Sequence, residues 1–186
     1  IDNQNDVITL YKNNWEDVFA KDDDTLAFWN TSRPTGRLMR DNIEILLHSI
    51  AVIKNFFDPD KNTLSDLSTL YKKIIMGFDK SQLILFIEDI ARYGKLFREK
   101  ILVFNKSTLF SYCDPAQRLF HILDECEIST FHPYILNLYG RYSNDNSRLE
   151  MELKKVENFI IRQMITKGET KSYNKLCKDL LANPAL

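Results

Sequence analysis

The chain has 186 residues, 44% of them hydrophobic, enough for one domain that buries about 70% of its unfolded surface. Five glycines and five prolines disfavour extended, turn-rich architectures, and a formal net charge of −1 does not by itself mark a nucleic-acid-binding protein. Cys113, Cys126 and Cys177 are an odd set without paired spacing, as expected in a reducing cytosol, and no uninterrupted apolar run approaches the roughly 18 to 20 residues that span a bilayer. The charge is unevenly spread: residues 1–66 hold 7 basic and 12 acidic side chains, 67–140 hold 9 and 8, and 141–186 hold 9 and 6. A polyanion contact therefore favours the C-terminal third. The chain opens on Ile1 rather than Met and reads as a fragment of a larger protein.

Val7, Leu10, Tyr11, Trp15, Val18 and Phe19 recur at helical spacing and predict a helix to Ala20. Thr25 to Asn30 reads as a short helical turn that inserts Phe28 and Trp29 into the core, and Pro34 and Gly36 mark Ser32 to Arg37 as a loop. Arg37 to Phe57 reads as one long helix with Met39, Ile43, Leu46, Leu47, Ile50, Ile53 and Phe57 inward. Asp58 and Pro59 end it.

Thr63 with Asp66 predicts a capped helix through Met76, and Asp79 with Gln82 has capping-box spacing before the longest helix, to Phe104. Gly94 sits inside the apolar stripe of that helix, where a neighbouring helix can cross closely. After a connector from Asn105 to Cys113, Asp114, Pro115 and Gln117 supply an N-cap, a first-turn proline and an N3 partner for a helix to Glu127. Pro133 opens a shorter helix to Tyr142.

Ser147 and Glu150 have capping-box spacing before a helix whose Leu149, Leu153, Val156, Ile160 and Met164 share one face. Gly168 is suited to the left-handed residue that ends it. Thr170 or Ser172 caps a last helix through Ala182, and Pro184 closes it. The expected architecture is all-α: a single compact bundle of about nine helices, with no sheet.

Reactive constellations are sparse. The chain has neither a phosphate-cradling glycine loop nor a nucleophile elbow, and neither HExxH nor paired CxxC. His48 lies one turn after Glu44, which predicts a local i,i+4 ion pair rather than half a metal site. His121, Cys113 and Cys126 lack tetrahedral zinc spacing, His132 reads as a helix-entry residue, and Asp124, Glu125 and Glu127 read as solvent-facing acids at a helix end. No metal or cofactor is expected. On the polar side, Arg148, Lys155 and Arg162 recur every seven residues and make one basic row. Lys171, Lys175 and Lys178 make a second. Such rows are either solvated faces or tracks along a phosphate backbone.

The run from Glu157 to Leu181 resembles the C-terminal part of the helical region in the GmrS/GmrD type of modification-dependent, type IV restriction endonucleases, bacterial proteins whose N-terminal module has a ParB-like nuclease fold. The matching features are Phe159 to Ile165 with Arg162, the Lys167 to Lys171 loop, and Tyr173 to Leu180 with Asn174. Upstream, Trp15, Phe28, Trp29 and Arg37 or Arg40 match a Trp, an acidic spacer, a Phe-Trp pair and an arginine before an apolar helix. The resemblance implies a non-catalytic helical scaffold or linker in phage defence. Its partners would be other domains of the same polypeptide and DNA backbone. The family's Asp-Gly-Gln-Arg and His-Asn-His motifs have no counterpart here, so no catalytic residue carries over. A stand-alone protein-interaction domain with an aromatic groove is the alternative. An enzyme built on Glu44, His48 and the acids around Asp124 ranks last.

Overall fold

A computed structural model describes residues 4–35, 38–102, 111–166 and 173–183. Helix α1 begins as Gln4–Tyr11, widens into a π-helical turn over Lys12–Glu16 and finishes over Asp17–Phe19. The carboxylate of Asp22 accepts from the Thr25 N–H at 2.7 Å and starts α2, Asp23–Trp29. Two short strands follow, β1 (Ser32–Thr35) and β2 (Leu38–Asp41), antiparallel with Ser32 opposite Asp41, Arg33 opposite Arg40, Pro34 opposite Met39 and Thr35 opposite Leu38.

This hairpin corrects the expectation of no sheet. It also shortens the helix expected over Arg37 to Phe57, which is α3, Asn42–Ile53. The physical reason lies at the open end of the hairpin. Asn42, fully buried, donates from its backbone to the Thr31 carbonyl (3.0 Å) and from its side chain to the Phe28 carbonyl (2.7 Å). The Ser32 hydroxyl takes the Asp41 carboxylate that would otherwise cap the helix. Residues 38–41 are thereby held extended, and Met39, expected inward, is 61% exposed. Pro34 is tolerated because a two-stranded ribbon leaves an N–H facing outward on each strand. Gly36 and Arg37, between the two strands in sequence, lie outside the described residues.

At the far end of α3, Asn55 adopts a φ of 60° while the Phe56 and Asn55 N–H groups donate back to Ala51 and Val52, both at 3.1 Å. This left-handed stop folds Phe56 and Phe57 under the helix. Thr63 and Asp66 close a capping box around a 3₁₀ turn, Leu64–Asp66, that opens α4, Leu67–Met76. Asp79 and Gln82 close another before α5, Lys80–Leu96, which continues through a π-helical turn over Phe97–Ile101. The remaining helices are α6 (Pro115–Glu125), α7 (His132–Arg141), α8 (Asn146–Ile165) and α9 (Tyr173–Ala182). The described residues thus form nine helices and one hairpin, a predominantly α architecture.

Asp114 caps α6 through the Ala116 and Gln117 N–H groups, with Pro115 in the first turn. The start of α8 differs from the expected Ser147–Glu150 box. Asp145 accepts from the Arg148 N–H at 2.9 Å, which places Ser147 inside the first turn and Glu150 just past it, both as exposed residues. A carboxylate at the helix N-terminus is also favoured by the macrodipole, so Asp145 wins over a serine two residues on.

Leu46, Ile50, Phe97, Leu119, Ile135, Leu136 and Ile160, all fully buried, join α3, α5, α6, α7 and α8 in one core. Each is worth roughly 1.5–3 kcal/mol of burial against chain entropy. The core includes Val18 and Phe19 from the first helix and Tyr173 and Cys177 from the last. The Tyr173 ring packs tilted against Phe131 and edge-on to Phe159, with ring centroids 5.3 and 5.8 Å away. No helix among the described residues is long and apolar enough to cross a membrane.

Candidate functional site

Two of the three cations in the basic row of α8 are committed to one buried acid, although both remain exposed. Arg148 Nη2 lies 3.1 Å and Lys155 Nζ 3.0 Å from the same carboxylate oxygen of Glu152, whose side chain is only 8% exposed. Two cations therefore compensate one buried anion, which the apolar flank of α8 could not otherwise hold. Arg162, the third member, is exposed near the end of the helix. On α9, Lys178 reaches Asp58 at 2.8 Å and Asp60 at 4.0 Å and ties the last helix to the segment after α3. That hydrogen bond holds the Asp58 carboxyl below its usual range and raises the Lys178 ammonium above its own. Lys175 is exposed, and Lys171 and Gly168 lie outside the described residues.

The pairing expected between Glu44 and His48 is replaced by another. Glu44 binds Arg40 at 2.7 Å, one turn earlier across the start of α3. His48 turns inward, its ring edge-on to Phe57 at 4.7 Å. Burial, helped by the Arg40 charge, pushes its pKa down to about 4, so it is neutral at pH 7. Cys126 Sγ lies 3.7 Å from Met164 Sδ, Cys113 is exposed, and no group of three or more His, Cys, Asp or Glu among the described residues is placed to hold a metal.

A more organised region lies beneath the hairpin. The register sets Arg33 and Arg40 directly opposite each other, on one face, with Thr35 two residues along on the same face. Arg33 Nε donates to Asn42 Oδ1 at 3.0 Å, and Arg40 is held by Glu44, so both guanidinium groups are fixed in place. Under this face lie two adjoining hollows of about 180 and 290 Å³, which share Thr35, Ile45 and Ser129 as walls. Arg33 and His132 line the smaller hollow; Arg40 and His48 line the larger.

Three buried side-chain atoms have no hydrogen-bond partner among the described residues: Thr35 Oγ1, Arg40 Nε and His132 Nδ1. All three residues border these hollows. Burial also pushes His132 down to about 4, with smaller contributions from Arg33 and His48. The sequence does not point to this region, because Pro34 and Gly36 predict a loop and the apolar spacing after Arg37 predicts a helix. The available signal is the alternation of Arg33 with Thr35 and of Leu38 with Arg40, a period of two rather than 3.6.

Comparison with protein-family models, with curated proteins and with solved structures finds no match to this chain.

Proposed function

We propose that this chain is a non-catalytic helical scaffold module of a bacterial anti-phage DNA-restriction protein similar to the GmrS/GmrD type, holding neighbouring domains of its polypeptide in fixed relation. The observation that carries the reading is that the first and last helices enter the same core, through Phe19 and Tyr173. A displacement applied at one end is then transmitted through packed side chains rather than absorbed in a joint. The resemblance through Phe159 to Ile165 and Tyr173 to Leu180 supplies the context.

Contact with DNA backbone falls in this reading to Arg162 and Lys175. Arg148 and Lys155 are occupied by Glu152, and reversing them would strand that buried acid. The test is the Arg162→Glu, Lys175→Glu double variant of the intact protein, with duplex affinity measured across a salt series. Weaker binding and a log–log salt slope reduced by about 0.9 per lost phosphate contact are expected. Unchanged affinity and slope would remove DNA contact and leave the scaffold.

The alternative, a protein-interaction domain, is favoured by one observation. Around Arg162, α8 exposes Ile161 (36%), Met164 (51%) and Ile165 (76%). A protein partner retained after nuclease treatment and lost in Ile165→Glu would favour it over the scaffold.

A further inference from the structure

The chain keeps three buried polar atoms without partners among its described residues, and they are gathered in one place. An unsatisfied buried donor or acceptor is costly, so natural folds hold few, and a cluster aimed into one space asks for an external partner. The hairpin adds a second oddity. Like charges directly opposite each other weaken a β ladder, yet Arg33 and Arg40 occupy that relation and are braced from outside by Asn42 and Glu44. A group of opposite charge between them would turn this repulsion into binding, through planar forks whose N–H groups suit an oxyanion.

We propose that the paired hollows beneath the hairpin bind a small molecule carrying an oxyanion, a phosphate or a carboxylate, on a compact apolar body. The oxyanion lies at the divide between the hollows, where Arg33, Arg40 and the Thr35 hydroxyl share one face. The apolar body enters the smaller hollow, against Phe120, Leu123 and Ile128. Asp124 and Glu127 also line that hollow and repel an anion from it, which fixes the orientation. Glu44, in the larger hollow, is already matched by Arg40. His132 Nδ1 completes the site as a hydrogen-bonding atom beside the apolar body. The hollows have the size of a fragment-like ligand rather than of a polymer segment. The site does not depend on the scaffold reading.

The experiment is calorimetric titration of the intact chain with phenyl phosphate, phenylacetate, inorganic phosphate and phenol, alongside backbone and imidazole NMR shifts. Phenyl phosphate or phenylacetate should bind at least tenfold more tightly than inorganic phosphate, and phenol should not bind. Which of the two is tighter identifies the oxyanion. Thr35→Val, nearly isosteric, and Arg33→Gln should each weaken binding about tenfold, with circular dichroism melts showing that both fold. Should a variant not fold, the unmodified protein still decides: ligand must shift the Thr35 and Arg40 amides and the His132 ring. Phenol binding as well as the anions, shifts confined to the surface around Arg162 and Lys175, or affinity unchanged in both variants would each overturn the proposal.

Discussion

A Cβ on Gly94 would stand 2.8 Å from Cζ of Phe19 and 3.0 Å from Cγ1 of Val18, so the end of α1 crosses α5 where only a glycine leaves room. Phe19 cannot step aside. Its ring is packed between Trp15 and Trp29, at centroid distances of 4.7 and 5.0 Å, and Trp29 is itself fixed by an Nε1 hydrogen bond to the Val18 carbonyl at 2.8 Å. Gly94→Ala gains about 1 kcal/mol of helix propensity and loses about 1–3 to overpacking, for a net destabilisation of about 1 kcal/mol. Gly94→Leu should be far worse. Thermal melts followed by circular dichroism check both, and an unchanged midpoint for Gly94→Leu refutes the crossing.

Arg118 joins α6 to α8 through two parallel hydrogen bonds to Glu157, Nε to Oε1 at 2.8 Å and Nη2 to Oε2 at 2.9 Å. The Glu157 side chain is only 10% exposed, so its charge depends on that fork. The stability order expected is wild type, then the Arg118→Met, Glu157→Met double variant, then Arg118→Met alone, because the single change leaves an unmatched buried acid. Urea denaturation of the three proteins reads the order directly. Arg118→Met more stable than the double variant would contradict it.

His48 and His132 both sit near pKa 4 in the fold, against an ordinary value of 6.5. For a depressed histidine the stabilising contribution is complete above 6.5 and is lost as the pH falls from 6.5 through 4, where the unfolded chain binds protons that the folded chain refuses. Each can remove up to about 3 kcal/mol by the bottom of that window. Hydrogen bonds hold the Asp22, Asp58 and Asp66 carboxyls below their ordinary value of 3.8, so their contribution is complete well above that value and starts to be lost only at the acid end of this window, below about pH 5. Urea midpoints should therefore fall steadily between pH 6.5 and 4, and His48→Gln should remove about half the slope. Flat stability from pH 7 to 4.5 would show that neither imidazole is buried and neutral.

Glu127 ends α6 with a φ of 53°, while the Ile128 and Glu127 N–H groups donate to Leu123 at 2.8 Å and Asp124 at 3.2 Å. This is the position that glycine fills in many helices, and a side chain there costs about 1 kcal/mol or more. Glu127→Gly should raise stability by about 0.5–1 kcal/mol once the added freedom of the unfolded chain is counted. It should also strengthen anion binding at the hairpin by removing one repelling carboxylate. Denaturant titration measures the first effect and calorimetry the second.

The caps at Thr63, Asp79 and Asp114 are legible in the sequence because both partners lie within three residues and the same hydrogen bonds form whatever surrounds them. The buried faces of α3, α5 and α8 are legible for a similar reason, since a 3.6-residue period needs no knowledge of what the helix packs against; the exception on α8 is Met164, expected inward but 51% exposed because the core ends at Ile160. The hairpin is not, since residues 38–41 fit a helical stripe equally well until Asn42 meets the Phe28 carbonyl fourteen residues back. The basic rows are another case, because charge spacing cannot say that Lys178 has spent itself on Asp58, 120 residues away, or that Glu152 is buried between Arg148 and Lys155. By itself the sequence determined where helices start, stop and turn their apolar sides, through forces acting within a few residues. Only the tertiary structure decided which charges remain available and which polar atoms are left facing a hollow, because electrostatic pairing and desolvation depend on distances that the chain sets when it packs.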